Sequence, residues 1–128
     1  MKIYLAGGFH SGWQAKVIEA CPNHTYYNPA DKEPSNVRWE VNKFGAWDLH
    51  HIRKSDLIFA NMERTNPGGI GLATEVGYAY GIGSTVILVL EPNHETMKDR
   101  YLVFLTECAH MAFDNLEDGI EFLKAFKI

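Results

Sequence analysis

Residues 68–80, Gly-Gly-Ile-Gly-Leu-Ala-Thr-Glu-Val-Gly-Tyr-Ala-Tyr, come shortly after the strand-like run Asp56-Leu57-Ile58-Phe59-Ala60-Asn61. A strand, a glycine-rich turn and a helix of small residues restrict the chain to architectures that present a helix start at the carboxyl edge of an α/β sheet. One acid, Glu75, falls in what reads as the first turn of that helix, among Ala73, Val76, Gly77 and Ala79. A surface helix supports such an acid with Lys or Arg three or four positions on, and here those positions hold Tyr78 and Ala79. The small neighbours allow close packing on the sheet and leave space beside the carboxylate. Glu75 reads as a working carboxylate in a cleft.

The rest of the chain alternates in the same way. Residues 2–6 form a strand ending in Gly7-Gly8, and Trp13, Val17, Ile18 and Ala20 recur at helical spacing up to Pro22. Thr25-Tyr26-Tyr27 is a short β-prone run. Residues 28–43, with Pro29, Asp31, Pro34 and Asn36, lack a period and read as a long loop, usually a functional feature inside a compact domain. A helix is expected over about 44–55, a strand over 56–61, the glycine turn and its helix over about 66–83, and a doubly buried strand over Thr85–Leu90. A helix near 96–108, a strand near 110–113 and a helix over about 115–126 complete the pattern. Strands alternating with helices imply one doubly wound α/β domain over residues 1–128, with a five-stranded parallel sheet covered on both faces.

Composition narrows the function. With 46% hydrophobic and 12% aromatic residues the chain is globular, and a net charge of -4 with scattered Lys and Arg argues against a nucleic-acid partner. No run approaches the about eighteen apolar residues of a membrane span, and no signal-peptide core is visible at the start. Cys21 and Cys108 match no metal or redox spacing, so a reduced, cytoplasmic protein is expected.

The glycines at 68, 69 and 71 do not form a dinucleotide fingerprint, and no P-loop Lys follows. The second informative element is Trp47-Asp48-Leu49-His50-His51-Ile52, a helix running into the strand at 56–61. Antiparallel to that strand, its early turns lie near the strand's carboxyl end, so Asp48 and Glu75 can converge on one cleft. Taken alone, Asp48 reads better as an acid that caps or solvates its helix, since exposed acids are common. Asp56 sits at the opposite edge of the sheet and reads as a structural link from helix to strand. His50 and His51 diverge around a helix, and His10, His24, His94 and His110 show no ligand spacing, so no metal or other cofactor is expected. A serine elbow is absent and the cysteines lack an activating context, which leaves carboxylate chemistry.

The runs Ile3-Tyr4-Leu5-Ala6-Gly7-Gly8-Phe9, Trp47-Asp48-Leu49-x-x-Ile52-x-x-x-Asp56 and Gly71-x-x-x-Glu75-Val76-Gly77-Tyr78-Ala79 resemble the nucleoside 2-deoxyribosyltransferase family. The resemblance covers most of residues 2–90 and implies a small flavodoxin-like fold and transfer of 2-deoxyribose between nucleobases through a covalent glycosyl-enzyme. It puts Glu75 on the nucleophile, Asp48 on the acid that handles the base's proton, and Tyr4 on the tyrosine that orients the nucleophile. Phe9 falls on an aromatic that packs on the nucleoside, and Gly7, Gly8, Trp47, Gly69 and Gly71 complete the expected substrate contacts. The partners implied are nucleosides and free nucleobases, with a homo-oligomer whose subunits complete one another's sites.

Two departures stand out. Asn66-Pro67-Gly68-Gly69-Ile70 lacks the acids that often bind the base in the family, and Phe126-Lys127-Ile128 lacks its C-terminal tyrosine. A related branch hydrolyses nucleoside 5′-monophosphates, holding the phosphate with Ser and Arg in the first loop. Here that loop offers His10 and Ser11 without an Arg, which favours an unphosphorylated nucleoside. Phe9, Trp13, Trp39 and Trp47 lie in or beside the expected cleft, though Trp13 and Trp47 read equally well as core residues. An N-glycosidase using the same carboxylates, and a nucleotide-sensing module without catalysis, remain alternatives.

Overall fold

The computed structural model describes residues 1–32, 41–66, 69–92 and 98–127. Five strands form one parallel sheet in the order β2-β1-β3-β4-β5. They are β1 (Lys2–Gly7), β2 (Thr25–Tyr27), β3 (Leu57–Met62), β4 (Thr85–Leu90) and β5 (Met111–Phe113). The helices are α1 (Trp13–Ala20), α2 (Val41–Arg53), α3 (Ile70–Gly81), α4 (Lys98–Glu107) and α5 (Leu116–Ala125), with a 3-10 turn at Pro29–Lys32. Chain direction across the sheet reverses at β1, so a crevice opens between the carboxyl ends of β1 and β3, where doubly wound folds take their ligands.

The central strands carry apolar side chains on both faces, as a parallel sheet covered by helices requires. Tyr4, Ala6, Ile58, Ala60, Met62, Val86 and Leu88 face α2, α3 and α4, packing on Ile52, Leu72, Val76, Ala79 and Leu105. Ile3, Leu5, Leu57, Phe59, Ile87 and Val89 face α1 and α5, packing on Trp13, Val17, Ile120 and Leu123. The register aligns Tyr4 with Ile58 and Gly7 with Asn61 across β1 and β3. Gly7 is obligatory there, because a Cβ would stand 2.6 Å from the Asn61 carbonyl oxygen and 2.9 Å from the Trp13 ring.

Most boundaries fall within a few residues of expectation, and the departures have local causes. The loop expected over 28–43 contains the Pro29–Lys32 turn, started by the Asn28 side chain accepting from the Ala30 N–H at 3.1 Å. It yields to α2 from Val41, and residues 33–40, Trp39 among them, lie outside the described residues. Helix α2 ends at Arg53, where Ser55 Oγ and the Lys54 N–H donate to the carbonyls of its last turn. Asp56 does not link helix to strand. Its carboxylate accepts from the Lys2 N–H at 2.7 Å and its own N–H donates to the Lys2 carbonyl at 2.8 Å, which fastens the start of β3 to the start of β1.

Trp13 is a core residue, not a cleft residue. Its ring is 1% exposed, stacks on Phe59 at 6.1 Å on the α1/α5 face, and donates Nε1–H to the Gly8 carbonyl at 2.9 Å. No described helix is long and apolar enough to cross a membrane.

Candidate active site

Glu75 lies in the second turn of α3, one turn later than expected, because the helix starts at Ile70 with Gly69 as its cap. Gly69 holds φ 98°, and a Cβ there would press into the Met62 side chain, 2.9 Å from Sδ. The glycine therefore fixes how closely α3 starts against the end of β3. Its carbonyl accepts the Ala73 N–H at 2.9 Å, which begins the helix. From this turn Glu75 points toward the crevice, and a Cβ on Gly71 would come within 3.9 Å of Glu75 Oε1. The glycine at 71 keeps the space beside the carboxylate open. Pro67 and Gly68, the remainder of the expected turn, lie outside the described residues.

Helix α2 brings Asp48 to the same crevice. Its end is tied to α3 by Arg53 Nη1–H donating to the Tyr78 hydroxyl at 2.9 Å. Tyr4, fully buried in β1, sends its ring up between the two helices, 6.5 Å from the ring of Trp47. Trp47 in turn stacks on His51 at 4.0 Å, and His51 Nδ1–H donates to the Trp47 carbonyl at 2.8 Å. Tyr27 closes the far side of His51 edge-on at 4.7 Å. The half-buried Trp47 is thereby braced beside both Asp48 and Tyr4.

The electrostatics of this group are unusual for a small domain. Burial, and after it the negative charge of Asp48, push the Glu75 carboxyl up to about 8 from its ordinary 4.5, while the Tyr4 hydroxyl pulls the other way. Burial, then the charges of Glu75 and Asp48, drive the Tyr4 phenol far above its ordinary range. The hydroxyl is near enough to couple to both carboxylates. Yet Tyr4 Oη and Glu75 Oε2 are both shielded from solvent and lack a hydrogen bond whose distance and angle are both good. A buried carboxylate oxygen beside a buried phenol, each short of a partner, is costly. Such an arrangement is what a site looks like when a further group is to complete it. Beside the Asp48 charge, the Glu75 carboxyl therefore keeps its proton up to about pH 8.

The structure thus brings Tyr4, Asp48, Trp47, Gly71 and Glu75 to one crevice, with Gly7, Gly8 and Gly69 shaping its carboxyl edge. Phe9 stands at the rim, 40% exposed. Motif reasoning singled out Gly8, His10, Ser11 and Asn66 near that edge but missed Glu63 and Thr65. Gly8, His10, Ser11, Glu63, Thr65 and Asn66 line a cavity between the loops that follow β1 and β3. Asn61 was missed as well: it is 1% exposed on the α1/α5 face, and its Oδ1 has no partner. The signal available for these residues was position alone, since they follow the two strands that flank the switch in the sheet. Among the described residues no three His, Cys, Asp or Glu side chains are grouped to hold a metal.

A doubly wound sheet with a crevice at its switch point, where Glu75 and Asp48 lie close enough to interact, defines the class of α/β proteins that take a small ligand at the carboxyl edge of the sheet. The sequence profile of the nucleoside 2-deoxyribosyltransferase family matches residues 3–118, and the chain belongs to that family. Among solved structures it is similar to a conserved protein of Enterococcus faecalis V583, with a TM-score of 0.71 at 18% identity over 98% of each chain. It is also similar to the CMP N-glycosidase of Clostridium botulinum, with a TM-score of 0.63 at 18% identity over 98% of this chain and 100% of that one. At such identity these two likenesses speak for the fold. No curated protein matches the chain in sequence.

Proposed function

We propose that the protein is a nucleoside 2-deoxyribosyltransferase that exchanges nucleobases through a glycosyl ester on Glu75. The observation that carries this reading is the buried Glu75 carboxylate, coupled to Asp48 and Tyr4 and short of a hydrogen-bond partner. The Glu75 carboxylate attacks C1′, and the C1′–N bond breaks with its electron pair leaving on the base. Asp48 gives that base the pair's proton. The incoming base then attacks C1′ from the face the first one left, Asp48 takes its proton, and the ester opens with net retention. The proton that Glu75 holds must sit on Asp48 when Glu75 attacks, and the Tyr4 hydroxyl pulls the proton affinity of Glu75 down.

Hydrolysis is the second reading, since water at the same ester gives a nucleoside N-glycosidase, and a structural neighbour is a CMP N-glycosidase. What favours transfer is the braced Trp47 beside Asp48, a flat apolar wall against which an acceptor base is held at high effective molarity. A 2-fluoro-2-deoxynucleoside separates the readings in one experiment. We expect mass spectrometry to find the fluorosugar on the peptide containing Glu75, and added adenine to release it as a nucleoside faster than water releases it as free sugar. Label on another residue refutes the nucleophile, and free sugar at saturating adenine makes the protein a glycosidase.

A further inference from the structure

We propose that the cavity on the α1/α5 side of the sheet, beyond the carboxyl ends of β3 and β4, is a second ligand site that takes a small aliphatic diamine. This site is separate from the crevice above and independent of the nucleoside reading, since Tyr4, Trp47, Asp48 and Glu75 all lie outside its lining.

The sheet itself builds the cavity. Phe59 and Val89 point toward α1 and α5, Asn61 follows Phe59 on that side, and Glu63 and Glu91 come next. The register pairs Asn61 with Val89, and the Glu91 N–H donating to the Met62 carbonyl at 3.1 Å carries it past the strand ends. Glu63 and Glu91 therefore stand on neighbouring chains at the same level, where like charges repel. Asp114 and Glu117 come from the turn into α5, and Lys16 on α1 is the one cation of the lining. None of these four carboxylates, nor the Lys16 ammonium, makes an ion pair or a hydrogen bond among the described residues.

An acidic surface by itself attracts any cation. Asn61 makes this one selective, because it lines the cavity while only 1% exposed, and its Oδ1 has no partner. Neither end of the amide is held by a hydrogen bond among the described residues, so the oxygen is free to turn to a donor arriving from the cavity. A buried amide left so is costly until a ligand completes it. No three acids are grouped for a metal among the described residues, and the cavity of about 230 Å³ is far more than one ion fills. Trp13 and Leu116 add apolar wall, which suits methylene groups. A chain with an ammonium at each end answers all of these features. One end donates to Asn61 and the Glu63–Glu91 pair, and the other reaches Asp114 and Glu117.

Calorimetry at fixed ionic strength tests this with putrescine, a four-carbon diamine, and with butylamine, the same chain carrying one amino group. We expect putrescine to saturate one site per chain with a dissociation constant of about 1 mM or lower. Butylamine should bind roughly tenfold more weakly, and Mg²⁺ at matched ionic strength should not displace putrescine. Lys16→Gln, which removes the competing cation, should tighten putrescine roughly two- to fivefold, and Glu117→Gln should weaken it by a similar factor. Asn61→Leu removes an amide that has no partner, so stability should hold while putrescine binds roughly tenfold more weakly. Equal binding of diamine and monoamine, displacement by Mg²⁺, or no saturable binding up to about 10 mM overturns the proposal. Unchanged affinity in a folded Asn61→Leu protein does the same. If that variant folds poorly, the exposed Lys16 and Glu117 decide, and unchanged affinity in either substitution refutes the site. Any of these failures leaves the nucleoside reading standing, and loss of that reading leaves this site in place.

Discussion

The two faces of β1 and β3 solve the same packing problem in opposite ways. Toward α1 and α5, Ile3, Leu5, Leu57 and Phe59 meet Trp13 and Val17. The polar groups buried among them at Trp13 and Gln14 both donate to one carbonyl, that of Gly8. Toward α2 and α3, the same strands bury Tyr4 against Asp48 and Glu75 and leave the Tyr4 and Glu75 oxygens short of partners. One face pairs Trp13 and Gln14 and leaves a neutral amide oxygen, Asn61 Oδ1, without a partner, while the other holds a carboxyl and a hydroxyl in an environment that penalises both. The difference teaches where selection for stability gives way to selection for chemistry, a single residue apart along one strand. It also says how to test the assignment: on the α2/α3 face, losing a polar group must cost activity without costing stability.

The largest effect is expected at Glu75. Glu75→Gln should lower transfer by about 10⁴-fold or more, because an amide is a very poor nucleophile. The same variant should gain stability at alkaline pH. The folded-state pKa is raised, so between 4.5 and about 8 the folded protein binds more protons than the unfolded chain, and stability falls as pH rises through that window. The amide removes this loss, and we expect denaturant titrations at pH 9 to show Glu75→Gln more stable by about 2–3 kcal/mol, a figure discounted for the solvent that reaches the cleft. At pH 4 the two proteins should be alike. A variant destabilised at both pH values would place Glu75 with the structural polar groups of the other face.

Next comes Asp48. Asp48→Asn should slow cleavage of the glycosidic bond by about 10²–10⁴, the usual share of a positioned proton donor, while the fold persists. Nucleosides whose base leaves readily without protonation should lose least. Uniform losses across good and poor leaving groups would make Asp48 a binding residue and break the carboxyl pair on which the comparison of faces rests.

Convergence of these two acids was legible in the sequence because it depends on topology. A helix that feeds a parallel strand runs antiparallel to it, so Asp48, more than a turn before the end of α2, and Glu75, on the helix after β3, can meet over one edge. Alternation of strand and helix likewise foretold the five strands and their helices. What depends on the third dimension was not legible. Trp13 carries no mark that sends it under the sheet, where the bare Gly7 makes room for its ring. The turn assigned to Glu75 shifted because Gly69, not a later residue, caps α3. Asp56 was recognised as structural, but its partner is Lys2, a contact between residues far apart in the chain. Glu63 and Thr65 belong to no motif and line a cavity only because the loops after β1 and β3 come together.

The smallest expected effect is at Tyr4, and it probes the contrast most finely because it removes one oxygen atom. Tyr4→Phe keeps the ring packed against Trp47 and deletes a buried hydroxyl that has no well-formed hydrogen bond. Deleting such a group leaves stability unchanged or raises it by up to about 1 kcal/mol. The hydroxyl lowers the proton affinity of Glu75, so its loss lets Glu75 hold its proton to higher pH. The alkaline limb of the kcat/KM profile, expected near pH 8 in the unaltered protein, should therefore move upward. Activity at neutral pH should fall by about tenfold, since the ionised form of Glu75 becomes harder to reach. A profile whose limb stays in place while stability drops would show that the Tyr4 hydroxyl serves packing alone, and that the α2/α3 face is built on the same terms as its opposite.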